Sequence, residues 1–275
     1  MSGEKSLIKI YKQNLITLCF VYNITTDWHR HPCFQLTVSL HNISFELETK
    51  SEKKEVFGFI VQSNLLHKIK TRDICCINLF VDPESNHYHL LSHFTEKNSV
   101  YFLSSEEALK IANYFIKSVT INQPIDIYHV YRFLCKCDLN YLCNQDNRIN
   151  KAVSIISLLP VKKISCREIA AEIHLSESRF LHLFRSKLGI NFRSYLLWKR
   201  LQDVIDNIDS SDSSETLTTL ANDKGFSDSA HFSRTCLSSF GIKPSQLRQA
   251  LCVEHNGSMC GKYYCLYNIF QALYI

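Results

Sequence analysis

The sequence predicts an α+β chain in two parts: an N-terminal antiparallel β sandwich or barrel with added helices, then an all-α domain carrying two helix-turn-helix units joined by a long helix. Three observations predict it. Residues 15 to 82 alternate short apolar runs with polar breaks, a helical period of apolar residues begins at Ser104, and residues 164 to 248 contain a degenerate duplication. The 275 residues suffice for two domains, and 45% apolar against 21% charged residues, with 7 Gly and 5 Pro, marks a folded chain.

The apolar runs are Leu15 to Tyr22, Cys33 to Leu40, Ile43 to Leu47, Val56 to Val61 and Ile74 to Val81. Ser104 with Glu107 three residues on forms a capping-box signature, and Ala108, Ile111, Ala112, Phe115 and Ile116 follow on one helical face. Ile125 to Leu142 reads as a second helix, and polar residues Asn144 to Asn150 as a linker. The expected divisions are therefore 1–103, a sensor or ligand-binding domain; 104–145, a helical connector suited to dimerisation; 146–250, the helix-turn-helix domain; and 251–275, an apolar tail.

In the duplication, Ala170, His174, Leu175 and Ser176 match Ala221, Gly225, Phe226 and Ser227 at an offset of 51. After one extra residue the offset is 52, pairing Phe180 with Phe232, His182 with Arg234, Phe184 with Cys236 and Gly189 with Gly241. Each copy has a small residue where two helices must approach and a turn residue four positions later. Gly225 takes a positive φ without cost, and His is among the residues enriched there. Ser176 and Ser227 are expected to cap the second helix of each unit. Phe180, Leu183 and Phe184 should pack inward, leaving the opposite face to solvent. The alternative reading is a helical bundle whose repeat reflects packing alone.

Charge points the same way. Residues 148 to 249 hold 15 Lys and Arg against 10 Asp and Glu, which is the whole net charge of +5. A positive excess confined to one segment is what phosphate attraction requires. The 12 Cys show no zinc-ribbon or C-x-x-C spacing and read as free thiols. The N-terminus lacks a signal-type apolar core, and no run is long enough to span a bilayer, so a cytoplasmic protein with no membrane association is expected.

Ile164, Ser165, Glu168, Ile169 and Ala170, then Leu175-Ser176, Phe184-Arg185, Gly189 to Leu196, Arg200-Leu201, Leu220-Ala221, Gly225-Phe226, Asp228, Phe232 to Arg234, Phe240-Gly241 and Pro244, follow one another in a recognisable order. The stretch from Arg148 to Arg248 resembles the DNA-binding domain of the AraC/XylS family of transcription regulators. The resemblance implies double-stranded promoter DNA as partner, RNA polymerase as a second one, a homodimer, and activation of transcription. It makes Asn191 to Ile208 the rigid helix that holds both recognition helices toward successive major grooves. Ser178, Leu181 and His182 become the base-reading positions of the first unit, and Ser229, Ala230, His231 and Arg234 those of the second. Arg179, Arg185, Lys199, Arg200 and Lys243 suit phosphates. Because so few of these side chains read bases in bidentate fashion, DNA shape and A·T-rich sites should contribute. Cys236 stands where the family has an aromatic anchor, and Ser210 to Ser214 lengthens the loop between units, so a looser second unit is expected.

In the N-terminal half, Trp28-His29-Arg30-His31 followed by Gln35, Gly58 and His67 resembles a cupin barrel, the sensor domain usual in that family. His29, His31 and His67 would offer three nitrogens to a divalent metal, with Gln35, a poor ligand, at the place of the usual carboxylate. The residues favour the other reading: no metal or cofactor, and a small-molecule effector pocket lined by these four with Trp28, Phe34 and Phe59. A metal-dependent cupin enzyme, and a regulator acting through protein contacts, are the alternatives to a DNA-binding regulator.

Overall fold

A computed structural model of the chain describes residues 7–95, 99–135, 146–208 and 216–250. The expected C-terminal tail, the serine-rich loop Ser210 to Ser214 and much of the region between Cys135 and Asp146 lie outside the described residues. The fold has the two expected parts, with the β region in two antiparallel sheets.

One sheet has six strands: β1 (Leu7–Gln13), β2 (Ile16–Tyr22), β3 (Phe34–Ser39), β6 (Gly58–Val61), β8 (Cys75–Val81) and β9 (Val100–Leu103), in the order β1-β2-β8-β3-β6-β9. The other has three, β5 (Lys53–Val56), β4 (Phe45–Thr49) and β7 (His67–Lys70), in the order β5-β4-β7. Bridges between Thr25 and Lys70 and between His29 and His67 tie the segment after β2 to the small sheet. Strands β1, β7 and β9 lie outside the apolar runs that marked the sheet in the sequence.

Both faces of the large sheet are buried, and the period-two alternation of side chains divides them cleanly. Leu18, Phe20, Leu36, Val38, Ile77 and Leu79 face a cluster shared with helices α1 (Tyr88–Thr95), α2 (Ser105–Thr120) and α3 (Ile127–Leu134). Cys19, Val21, Phe59, Val61 and Cys76 face the small sheet with Phe45, Leu47 and Ile69. Every residue of β3 is buried for this reason. Helix α2 starts as its sequence dictates: the Ser104 hydroxyl accepts from the Glu107 amide, and the Glu107 carboxylate accepts from the Ser104 amide. The second helix is shorter than expected, running from an Asp126 cap to Leu134.

The C-terminal domain runs α4 (Asn147–Leu158), α5 (Cys166–Glu172), α6 (Glu177–Leu188), α7 (Phe192–Asn207), α8 (Leu217–Asp223), α9 (Ser229–Phe240) and α10 (Pro244–Ala250). Helix α4 begins within the expected linker, because the Asp146 side chain accepts from the Arg148 amide and caps it. The two helix-turn-helix units are not packed alike. The first has its own core of Ile169, Ala170, Phe180, Phe184, Phe192 and Tyr195. The second has none to itself: Ala221, Phe226, Phe232, Cys236 and Ile242 join one continuous cluster with Cys19, Phe45 and Ile69 of the β sheets.

Gly58, which pairs with Val38 and Leu103 in β6, is needed for close approach. A Cβ there would lie 2.8 Å from the Thr37 carbonyl oxygen and 2.8 Å from Leu103 Cδ1. Gly58→Ala should destabilise the chain by about 1–3 kcal/mol, the cost of overpacking a filled site, as measured by urea denaturation. A change under about 0.5 kcal/mol would show that the strands separate freely at this point.

Candidate nucleic-acid interface and the cavity behind it

In the first unit the chain reverses at His174, φ 57°, where the Leu175 amide donates to the Ala170 carbonyl at 2.9 Å. In the second it reverses at Gly225, φ 95°, with the matching bond from the Phe226 amide to Ala221 at 3.0 Å. The two turns are thus equivalent at the offset of 51. The caps are not. Ser176 accepts from the Arg179 amide as expected, but α9 is capped by Asp228, which accepts from the His231 amide at 2.7 Å. Ser227, expected to be the cap, is the extra residue of the second copy, and its hydroxyl donates to the Asp228 carboxylate at 3.0 Å. The His231 backbone amide, and after it the Ser227 hydroxyl, hold the Asp228 carboxyl below its ordinary range.

Helix α6 buries Phe180, Phe184 and Leu188 and exposes Ser178, Arg179, Leu181, His182 and Arg185. Helix α9 buries Phe232 and Cys236 and exposes Ser229, Ala230 and Arg234. His231 is half-buried, its ring against Phe226 and its Nδ1 3.1 Å from the Ser227 hydroxyl. The Cys236 thiol, fully buried, donates to the Ile242 carbonyl at 3.4 Å. Burial pushes this thiol up to about 12, so it stays protonated. Lys243 lies near Arg234, lining the same surface groove with Ser229 and Ser233.

Two residues expected at phosphates are placed otherwise. Lys199 turns toward the β domain, where its ammonium lies 2.5 Å from Glu84 and 3.6 Å from Asp82. Arg200 is half-buried against Gly225, with its Nε enclosed and unpartnered. Lys199 belongs to a junction that sequence reasoning missed. Asp82 accepts from the Trp198 indole at 3.0 Å and from the Gln202 amide at 3.0 Å, while Glu84 accepts from the Tyr195 hydroxyl at 3.1 Å. Burial pushes the Glu84 carboxyl up, an effect that Lys199 partly offsets. Burial also works against the Lys199 ammonium, but Asp82 and Glu84 outweigh it and raise its pKa.

Beside this junction, at the seam between the domains, lies a cavity of about 110 Å³. Ile8, Cys19, Val21 and Ile69 wall it from the β side, and Trp198, Phe240 and Ile242 from the helical side. Of the seven expected pocket residues, His29, His31 and Gln35 line it. The other four do not. Phe34 is turned to the opposite face of the sheet by the parity that turns Gln35 inward, and packs on Tyr88. Phe59 is buried against Phe45, and Trp28 lies half-buried at the surface under Lys50. His67 stands behind His29, with ring centroids 4.2 Å apart.

The three imidazoles form a buried cluster whose candidate ligand atoms all lie within 4.8 Å of one another. Burial pushes all three below their ordinary range, His29 to about 3, so they are neutral. Gln35 Oε1 stands 2.8 Å from His31 Nε2 and 3.1 Å from His67 Nε2.

Comparison with known proteins agrees with this geometry. Residues 169–250 match the family model described as a helix-turn-helix domain. The arabinose operon regulatory protein of Escherichia coli is 33% identical over 105 residues, which are 38% of this chain and 35% of that one. The Msm operon regulatory protein of Streptococcus mutans is 28% identical over 106 residues, 38% of this chain and 36% of that one. The C-terminal domain is therefore a helix-turn-helix domain similar to those of these regulators. The chain spans only about a third of the length of these relatives. Over the full fold, an apo variant of ToxT from Vibrio cholerae superposes with a TM-score of 0.57 at 11% identity, covering 88% of this chain and 99% of ToxT. Fatty-acid-bound wild-type ToxT gives 0.53 at 11% identity, with 89% and 99% coverage. The helix-turn-helix domain here therefore follows a β domain in the same overall fold as ToxT. Among the described residues no helix is long and apolar enough to cross a membrane.

The junction makes a sharp energetic prediction. Lys199→Met leaves Glu84 buried with its charge uncompensated and should cost about 3 kcal/mol in chemical denaturation. Adding Glu84→Gln, which keeps an acceptor for Tyr195, should recover most of that loss. Additive losses in the double variant would mean that the two side chains are not coupled.

Proposed function

We propose that the chain is a sequence-specific DNA-binding transcription regulator, acting as an activator, whose DNA contact responds to a small molecule seated between its domains. The observation that carries this reading is the pair of capped recognition helices, α6 and α9, each with a buried aromatic face and an exposed polar one, held by α7. Ser178, Leu181 and His182 read bases from the first helix, and Ser229, Ala230, His231 and Arg234 from the second. Arg179, Arg185 and Lys243 anchor phosphates, and Lys199 is withdrawn from that role.

The apolar cavity supports the effector. It is walled by both domains, and ToxT, which shares the fold, has been crystallised with an unsaturated fatty acid bound. An activator of this kind works with RNA polymerase, and a homodimer would double the contacted half-sites. No resident cofactor is needed for the DNA contact itself.

Binding-site selection from genomic fragments tests the proposal. The full chain should enrich an asymmetric sequence, and Arg234→Ala and His182→Ala should each relax discrimination at one position, by about 1–3 kcal/mol. Arg185→Ala should weaken all sequences alike and lower the salt slope by about one, whereas Lys199→Met should leave that slope unchanged. Absence of enrichment and of salt dependence in the folded chain would sink the reading.

A further inference from the structure

Ser227, the residue added in the second copy, stands between two polar partners at the start of α9. Its hydroxyl oxygen lies 3.0 Å from Asp228 Oδ2 and 3.1 Å from His231 Nδ1. The other Asp228 oxygen accepts from the His231 amide at 2.7 Å, so the carboxylate is engaged at both ends. That amide, and after it Ser227, keep the carboxyl below its ordinary range; it is ionised at neutral pH and can only accept. A hydroxyl has one proton to give. Turned toward the imidazole, that proton would leave the serine oxygen facing a charged oxygen with nothing between them. Given to Asp228, it leaves the serine oxygen free to accept, and His231 then carries its own proton on Nδ1. Only this second arrangement satisfies both contacts.

A neutral imidazole has one N–H, so Nε2 of His231 is left as a lone pair. It bonds to no group among the described residues. The ring also lies edge to face on Phe226, with centroids 5.3 Å apart at 67°. An apolar neighbour thus holds its orientation and a polar one its tautomer. A lone pair on a recognition helix has few partners. It cannot bond a phosphate, which offers only acceptors. In the major groove the donors are the amino groups of cytosine and adenine, whereas guanine and thymine present acceptors there. Arg234, about one turn further along α9, offers donors only and suits guanine. The first unit has no such device: Ser176 is itself the cap, and Arg179, a donor, stands at the place of His231.

We propose that Ser227 and Asp228 are positioning residues that fix His231 as a hydrogen-bond acceptor, so that the second unit requires cytosine or adenine where His231 meets the groove. The inference rests on the DNA-binding reading above and gives it a sign at one base. It also makes a single change at position 228 decisive. Asn caps a helix as well as Asp does. In Asp228→Asn the side-chain oxygen keeps the His231 amide, and the new amino group donates to the Ser227 oxygen. The serine proton then turns to His231 Nδ1, and the imidazole proton passes through solvent to Nε2. The acceptor becomes a donor. A donor is met by guanine, thymine or adenine N7 but not by cytosine, which offers only its amino group in the major groove.

Binding-site selection with the full chain, run beside His231→Ala to locate the base that His231 reads, tests this at about pH 8, where imidazoles are neutral. Wild type should select cytosine or adenine there and bind guanine or thymine about 2- to 12-fold more weakly, the worth of one hydrogen bond. Ser227→Ala should flatten that preference and leave the other positions alone, and Asp228→Asn should admit guanine and reject cytosine. Nitrogen NMR shifts of the imidazole, assigned with His231→Ala, should place the proton on Nδ1 in the free wild type and on Nε2 in Asp228→Asn. A cap with a merely structural role would move neither readout. A wild-type proton on Nε2, a guanine or thymine at the His231 position, or a preference unmoved by Asp228→Asn overturns the proposal. So does a His231→Ala that alters no position. Absence of any enriched sequence while Nδ1 carries the proton shows instead that the DNA-binding reading has failed, and the base assignment falls with it.

Discussion

The structure hangs on the contact of two carboxylates, Asp82 and Glu84, with one face of α7. At the end of β8 they meet Tyr195, Trp198, Lys199 and Gln202 within about two turns of helix. Four donors from a single element saturate this pair except at Glu84 Oε2, and the carboxylates are out of water. Such a site is costly to form and costlier to break at one side, so it selects one docking geometry over its neighbours. Because α7 also bears the packing of both reading units, fixing α7 on the β domain fixes where each recognition helix points.

The two units feel that constraint differently. The first keeps its aromatic core, with Phe180, Phe184, Phe192 and Tyr195 stacked edge to face, and needs nothing from the β domain except at Tyr195. The second gives up an aromatic at Cys236 and merges its core with the β sheets. Gly241 marks how close the merger is. It holds a φ of 70° at the end of α9, and a Cβ there would lie 2.4 Å from the Asp27 carbonyl oxygen. The same glycine that closes the helix admits the other domain. The looseness expected of the second unit from its missing aromatic is therefore made good by a neighbour outside the duplicated segment.

What was legible in the sequence follows from this division. Capping signals act within four residues, so Ser104 with Glu107, and Ser176, declared themselves. The duplication fixed both turns, yet it left the extra residue unplaced, so the cap that reads as Ser227 is held by Asp228. Strand β9 and helix α1 were illegible because their burial comes from partners distant in sequence, and β7, which does alternate in burial, spans only four residues, too few for a period to declare itself. Parity misled at β3: with both faces of the sheet buried, Phe34 and Gln35 look interchangeable in depth, and only the helices on one side decide which enters the cavity. Lys199 was illegible for a related reason. A lysine on the polar side of an amphipathic helix reads as solvent-facing unless its acidic partners are known, and Asp82 and Glu84 lie more than a hundred residues away. Their own signal was present, two acids closing an apolar strand, but nothing local said what they would meet.

The cavity draws these strands of argument together. Its helical wall is made of Trp198, Gln202 and Ile205 from α7 and of Phe240, Ile242 and Leu247 from the second unit, with no residue of α5 or α6. A molecule seated there can change the energy of the protein only through groups it touches, and it shifts a conformational balance only by its differential affinity for the two states. Its direct contacts are with the junction and the second unit. The first unit, complete in its own core, is reached only through α7. Any coupling between the cavity and DNA must therefore act chiefly as a change in the position of α9 relative to α6, which alters the spacing of two half-contacts rather than the strength of either. Spacing between reading heads is a property to which a B-form helix is unforgiving, since a displacement along the axis is also a rotation about it.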